Sequence, residues 1–242
     1  MNLLLFEPED LLPDGTACIS GRRLKQLREV IKAEPGKLCK AGILNGEVGR
    51  AELLRIGDTE ARLRFAAQGA PPDPLDVTLL CTLPLPLTLV KVLHSAVTCG
   101  VKKIHFFHSA KVEKSYWQSS KLAPEALREE LILALEQCGD TVLPELFFHR
   151  RFRSFVEDEV PGLTPAGALR IFGSPSAVAP VPVGAARRAP VVLAVGPEGG
   201  FNDFEENLWR EHGFAAVSLG RRILRSEFAV NALLTVLGVA GS

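Results

Sequence analysis

"PVVLAVGPEGGFNDFEENLW", residues 190–209, is the stretch on which the fold turns. Val191 to Val195 is an unbroken apolar run, the pattern of a strand covered on both faces. It ends in Gly196-Pro197-Glu198-Gly199-Gly200, a loop that is three-fifths glycine. Asn202 is a good N-cap, and Glu205, three residues on, completes a capping-box spacing. The order is therefore strand, glycine loop, helix N-terminus, and ligands in α/β sheets bind beyond the carboxyl ends of the strands. A phosphate cradle does not fit this loop. It would need a lysine followed by Ser or Thr after the last glycine, where Phe201 and Asn202 stand. Nor does "GPEGG" match G-x-G-x-x-G, and Glu198 would repel a phosphate. The loop better suits a ligand with hydroxyls, amides or positive charge; a tight turn without a ligand is the alternative.

Outward from this unit the same alternation repeats. "LDVTLLCTL", "KKIHFFHS", "GALRIFG" and "AAVSLG" read as strands. "LTLVKVLHSAVTCG", "PEALREELILALEQCG", "DFEENLWREHG" and "EFAVNALLTVLG" read as helices, the second running from Pro124 to Gly139. Such alternation predicts an α/β fold with a parallel sheet. The first 70 residues differ. "NLLLF", "KLCKAGIL", "EVGRAELLRI" and "EARLRFAA" are short strands, with Asn45-Gly46 and Gly57-Asp58 as hairpin turns. "RRLKQLREVI" sets Leu24, Leu27 and Ile31 at helical spacing. A small β-barrel over 1–70, a proline-rich linker in "QGAPPDP" (68–74) and an α/β domain over 74–242 are expected.

Lysines and arginines equal aspartates and glutamates at 28 each, so overall charge exerts no pull toward nucleic acid. Its distribution is uneven: six lysines face one acid, Glu113, between Lys91 and Lys121. Arginines cluster at 150, 151 and 153 and again at 221, 222 and 225. A solvated face explains any one such cluster equally well. Five scattered cysteines form no C-x-x-C pair, and His105 and His108 have the odd spacing that puts them on opposite faces of a strand. No metal site is expected. No apolar segment approaches the ~20 residues of a membrane span, and "MNLLLFEPED" has neither basic flank nor cleavage site. A soluble, cytoplasmic protein is expected.

A second arginine-rich strand-to-helix loop, "SLGRRILRSE" (218–227), and a third candidate, "RIFGSPS" (170–176), lie at the same edge of the expected sheet. Arg222 and Arg225 beside Glu227 read either as a structural ion pair or as an anion stabiliser and a proton acceptor. "VGPEGGF" followed by "SLGRRILRSE" resembles the C-terminal pattern of the RsmE family, uridine N3-methyltransferases of 16S ribosomal RNA in the SPOUT superfamily. "ALEQCG", "PEL" (144–146) and "REVIKAEPG" extend the resemblance over nearly the whole chain.

The resemblance implies a PUA-like β-barrel joined to a SPOUT α/β domain with a C-terminal trefoil knot, a homodimer, and S-adenosylmethionine in the knot. It implies one cofactor loop at Gly196, Pro197, Glu198, Gly199 and Gly200 and a second at Leu219, Gly220, Ile223 and Leu224, with Phe172 and Gly173 in a third. Arg225 and Glu227 fall on the family's arginine and glutamate, with Arg222 as a further anion stabiliser. Arg22, Arg23 and Lys25 of the barrel, with Lys111 and Lys114, are the candidates for gripping RNA phosphates. The chain departs from the family pattern at Ser226 and Phe228, each usually Thr, and at Asp140, usually Arg. Thr98 replaces an acid and Gln26 a histidine. Methylation at a ribose 2′-oxygen or a guanine, and an RNA-binding or assembly module with a degenerate pocket, are the competing readings.

Overall fold

Both hairpin signals become reversals of the chain. Asn45 adopts φ 58°, with Gly46 N–H donating to the Ile43 carbonyl at 2.8 Å. Gly57 N–H donates to the Glu60 carbonyl at 2.9 Å. The computed structural model describes residues 2–239. Strands β1 (Leu4–Phe6), β2 (Thr16–Ile19), β3 (Leu38–Ile43), β4 (Val48–Ile56) and β5 (Ala61–Gly69) make one sheet in the order β1-β3-β4-β5-β2. β3, β4 and β5 are an antiparallel meander, β2 runs antiparallel to β5, and β1 lies parallel to β3. Strand alternation buries Ala41, Ala51, Leu53, Ala61 and Leu63 against Leu4, Phe6 and Ile19. Leu24 and Leu27 close this core from α1 (Gly21–Lys25) and the π-helical turn Gln26–Val30 that continues it.

The second sheet has six strands, all parallel: β6 (Val77–Thr82), β7 (Lys103–Phe107), β8 (Glu145–His149), β9 (Leu169–Gly173), β10 (Val191–Val195) and β11 (Ala215–Val217). Their order is β11-β9-β10-β6-β7-β8. All five residues of β10 are buried, as its unbroken apolar run required. The helices are α2 (Pro86–Thr98), α3 (Pro124–Cys138), α4 (Phe152–Ser154), α5 (Val160–Leu163), α6 (Asp203–Glu211) and α7 (Ser226–Gly238), with a π-helical stretch, Phe155–Glu159, between α4 and α5. Proline opens α2 and α3, and Gly100 (φ 84°) and Gly139 (φ 83°) follow their ends. α2 packs on α7, and their buried residues include Leu89, Val92 and Leu93 of α2 and Val230, Leu234 and Leu237 of α7.

Three elements go beyond the sequence reading, the first of them the four-residue strand β2. β8 is an edge strand in which Leu146, Phe147 and Phe148 break the alternation that would announce it. The broken helix at 152–163 buries Phe155, Val156 and Val160, but its π turn shifts the helical period. Beneath α6, Phe107, Phe152, Phe155, Trp209 and Phe214 form an aromatic core. Phe201, directly after the glycine loop, is anchored in it, with its ring 6.3 Å from that of Phe107 and 6.1 Å from that of Phe172.

The chain divides into two compact units. One holds the chain up to Asp73 together with Ile132–Leu143; the other holds Pro74–Leu131 and the chain from Pro144 onward. Within the first unit, Asn2 and Leu3 N–H groups donate to the Glu136 carbonyl, both at 2.9 Å. The Thr141 hydroxyl donates to the Gly46 carbonyl at 2.6 Å, and Asn45 Oδ1 accepts from Leu143 N–H at 2.9 Å. Asp140, the departure noted above, accepts from Val142 N–H at 3.0 Å.

Candidate functional site

Three loops leave the carboxyl ends of adjacent strands β10, β9 and β11. In the first, Gly199 (φ 83°) and Gly200 (φ 70°) occupy left-handed backbone that L side chains resist. Gly200 N–H donates to the Pro197 carbonyl at 2.9 Å, closing the turn. A Cβ at Gly196 would press on the Phe201 ring at 3.2 Å, so the loop leaves the strand tight against its own anchor. Lys111 Nζ donates to the Gly199 carbonyl at 2.6 Å and the Gly200 carbonyl at 2.9 Å. The predicted capping box at α6 is present: Asn202 Oδ1 accepts from Glu205 N–H at 2.8 Å, and Glu205 Oε2 from Asn202 N–H at 3.0 Å. Glu205 Oε1 also accepts from Ala110 N–H at 2.8 Å, so one buried carboxylate ties the helix start to the segment carrying Lys111.

The second loop follows β11. Ser218 Oγ accepts from Gly220 N–H at 3.0 Å, and Gly220 takes φ 117°. Leu219, Ile223 and Leu224 are exposed apolar residues, Ile223 to 77%. Arg225 is the N-cap of α7. The third loop follows β9: Ser174 N–H donates to the Val217 carbonyl at 2.9 Å, and its hydroxyl to Glu206 Oε1 at 2.8 Å. A Cβ on Gly173 would come within 3.3 Å of the Leu233 side chain, so glycine allows β9 and α7 this close approach.

These loops and the start of α7 wall a cleft of about 750 Å³ including its open mouth. Gly173, Gly196, Pro197, Gly199 and Gly200 line it, as do Leu219, Gly220, Arg222, Ile223 and Leu224. Four predicted residues do not. Phe172 points the other way along β9 and is fully buried, with the Arg210 guanidinium 5.3 Å above its ring; strand alternation gives the cleft to Gly173 instead. Glu198 and Arg225 are exposed beside the cleft. Glu227, one residue past the lining Ser226, is buried: Oε1 sits 3.3 Å from Lys91 Nζ, and Oε2 has no hydrogen-bond partner among the described residues.

Sequence reasoning missed Ser226, Ala229 and Leu233, which turn one stripe of α7 toward the cleft. Their i, i+3, i+7 spacing was the available signal. It also missed Ser174 and Lys91. Of the predicted phosphate grips, Arg22, Arg23 and Lys111 hold partners within the protein. Arg22 pairs with Glu136 at 2.7 Å, and Arg23 is forked onto Asp10 while donating to the Leu5 carbonyl at 2.9 Å. Lys111 is spent on the glycine loop, whereas Lys25 and Lys114 are exposed. His108 lies past the end of β7 and accepts from Trp117 Nε1 at 3.0 Å. Among the described residues no group of three or more His, Cys, Asp or Glu side chains is placed to hold a metal ion. Burial pushes the Cys81 thiol up to about 12, which makes it an inert core residue.

Residues 71–238 match the RNA methyltransferase domain family. The chain is 30% identical to the ribosomal RNA small subunit methyltransferase E of Treponema pallidum, over 98% of this chain and 90% of that protein. It is 29% identical to the protein of the same name from Synechocystis, over 96% of this chain and 77% of that protein. Among solved structures, the ribosomal RNA small subunit methyltransferase E of Neisseria gonorrhoeae, bound to S-adenosylmethionine, aligns with a TM-score of 0.74 at 22% identity, covering 96% of this chain and 95% of that one. A Legionella pneumophila methyltransferase with the same bound cofactor aligns with a TM-score of 0.75 at 24% identity, covering 98% and 96%. At these identities the two structures speak for the fold alone. With the domain family matched over most of the chain, and a relative of 30% identity spanning nearly all of it, the chain belongs to the ribosomal RNA small subunit methyltransferase E family.

Proposed function

We propose that the protein transfers a methyl group from S-adenosylmethionine to ring N3 of a uridine in 16S ribosomal RNA. The observation that carries this reading is the cleft where the two glycine-bearing loops meet the N-terminus of α7. Its chemistry fits a phosphate-free nucleoside. The nearby lysine, Lys111, is occupied by loop carbonyls, and Glu198 adds an exposed carboxylate that suits a cationic ligand. Leu219, Ile223 and Leu224 offer apolar surface to a purine face, and the glycines let backbone approach the ligand. When bound, the cofactor supplies an electrophilic methyl on a sulfonium sulfur.

The chain's own groups then deal with the uracil. N3 carries a proton, and it must leave as the N3–CH3 bond forms and the sulfur takes the electrons of the breaking bond. Glu227 is the proposed acceptor, or the group that orients one, its Oε2 without a donor among the described residues and its Oε1 3.3 Å from Lys91 Nζ. Arg222 on the cleft wall and Arg225 at the helix N-cap stabilise charge on the flanking uracil oxygens, a contribution of about 3 kcal/mol for a well-placed donor. N3 lies on the pairing edge, so the base must be unpaired or turned out of its helix.

The same reading includes a C-terminal trefoil knot around the cofactor, a PUA-like closure of the first sheet, a homodimer and a cytoplasmic location. No helix among the described residues is long and apolar enough to cross a membrane. The test is tritium transfer from labelled cofactor to RNA of a strain lacking the enzyme, followed by mass spectrometry of the nucleosides. Label in 3-methyluridine is the expected result; label in a 2′-O-methyl nucleoside or methylguanine would redirect the reading, and no label in any RNA would end it.

A further inference from the structure

On the first sheet, most arginines are matched with acids. Arg55 pairs with Glu60 at 2.9 Å, Arg62 with Asp14 at 3.0 Å, and Arg64 with Glu52 at 3.4 Å. Arg55 and Arg62 face each other across β4 and β5, yet each has its own carboxylate. Lys40 and Arg50 break this pattern. They are directly opposed across β3 and β4, both exposed, and among the described residues neither has a carboxylate within ion-pair distance. Like charges directly opposite on a ladder are destabilising. The pair therefore works against the sheet that carries it.

Both cations line an open polar cleft within this unit, together with the carboxamides of Gln68 and Gln137. On the other side of β4, its ladder with β5 slips register at Val48/Gly49, immediately before Arg50, and a Cβ at Gly49 would run into the Ala66 carbonyl. Such bulges re-aim neighbouring side chains, and they concentrate near functional sites. Two opposed, unneutralised cations beside free amides match a phosphodiester with a base edge next to it.

We propose that the Lys40–Arg50 cleft grips a backbone phosphate of the substrate RNA, with Gln68 and Gln137 placed to meet an unpaired base; this rests on the methyltransferase reading above. It moves the RNA contact away from Arg22 and Arg23, whose charges are committed within the fold.

The experiment measures binding of labelled 16S ribosomal RNA fragments by fluorescence anisotropy across a salt series, using the full chain. Variants are Lys40→Ala with Arg50→Ala, Lys40→Glu, and Arg55→Ala as a paired-arginine control. Losing two phosphate-neutralising charges should flatten the slope of log K against log salt by about 1.4–1.8 and weaken binding about tenfold or more. Arg55→Ala should bind like the parent. Lys40→Glu creates an ion pair with Arg50, so it should melt higher while binding RNA less well. A double variant with the parent's slope and affinity overturns the inference and leaves the methyltransferase reading standing. A Lys40→Glu protein that loses melting temperature together with RNA binding also overturns it, by making Lys40 structural. A parent chain that binds S-adenosylmethionine in calorimetry but no ribosomal RNA removes both.

Discussion

Glu227 and Gly199 carry the sharpest expectations at single positions. Glu227→Gln keeps the shape of the side chain and removes its proton affinity. Single-turnover methyl transfer should fall about a hundredfold or more, with cofactor affinity unchanged by calorimetry because Glu227 does not line the cleft. An unimpaired rate would take the base role from it. At Gly199 an added Cβ meets Lys111 only at ordinary contact distances of 3.7 and 3.9 Å, so the strain of Gly199→Ala is almost wholly that of φ 83°. The cost is about 1–2 kcal/mol, or roughly 2–8 °C in Tm, with weaker cofactor binding as the loop relaxes. A thermal melt and a calorimetric titration check both. The glycines could be read from the sequence because only backbone freedom explains three of them in five residues. Lys91 could not, since nothing local links it to a glutamate 136 positions away.

Elements were legible in proportion to how far their own pattern determined them. Proline at the head of α2 and α3, glycine beyond their ends, and the capping box of α6 are local chemistry, and each is present in the structure. β8 and the 152–163 helix were not legible. An edge strand with three large apolar residues in a row shows no alternation, and a π turn breaks the helical period. Glu205 belongs to both classes: its capping role is local, but its bond to Ala110 N–H spans 95 residues. Glu205→Ala should therefore cost more than the ~1 kcal/mol of a lost cap, about 2–3 kcal/mol with the Asn202 and Ala110 N–H groups losing a charged acceptor. Urea unfolding measures the total, and Glu205→Gln, which keeps one acceptor, should lose less. A cost of only a cap's size would mean the Ala110 bond contributes nothing.

For the molecule as a whole, acid is the informative stress. His105 is buried, its ring 4.5 Å from that of Phe147 and its Nδ1 3.0 Å from His149 Nε2. Burial, with smaller contributions from His149 and Lys103, pushes its pKa down to about 4. The unfolded chain takes up that proton at about 6.5, so stability contributed by neutral His105 is lost as pH falls from about 6.5 toward 4. The loss is on the order of 3 kcal/mol. His105→Phe should lose less stability than the parent between neutral pH and about pH 4.5 in urea titrations; equal losses would assign acid sensitivity elsewhere. The alternation of strands and helices gave away the parallel sheet, but no local pattern announces that Ile132–Leu143 returns to the first unit. That return has a temporal meaning. The polypeptide is made from the N-terminus, so Met1–Asp73 leaves the ribosome well before the segment bearing Glu136 and Thr141, which supplies its hydrogen bonds. The first unit to be synthesised is completed only after 58 residues of the second have followed it into solution, and a nascent chain halted at Leu131 is left with Arg22 lacking its carboxylate and Asn45 lacking its partner.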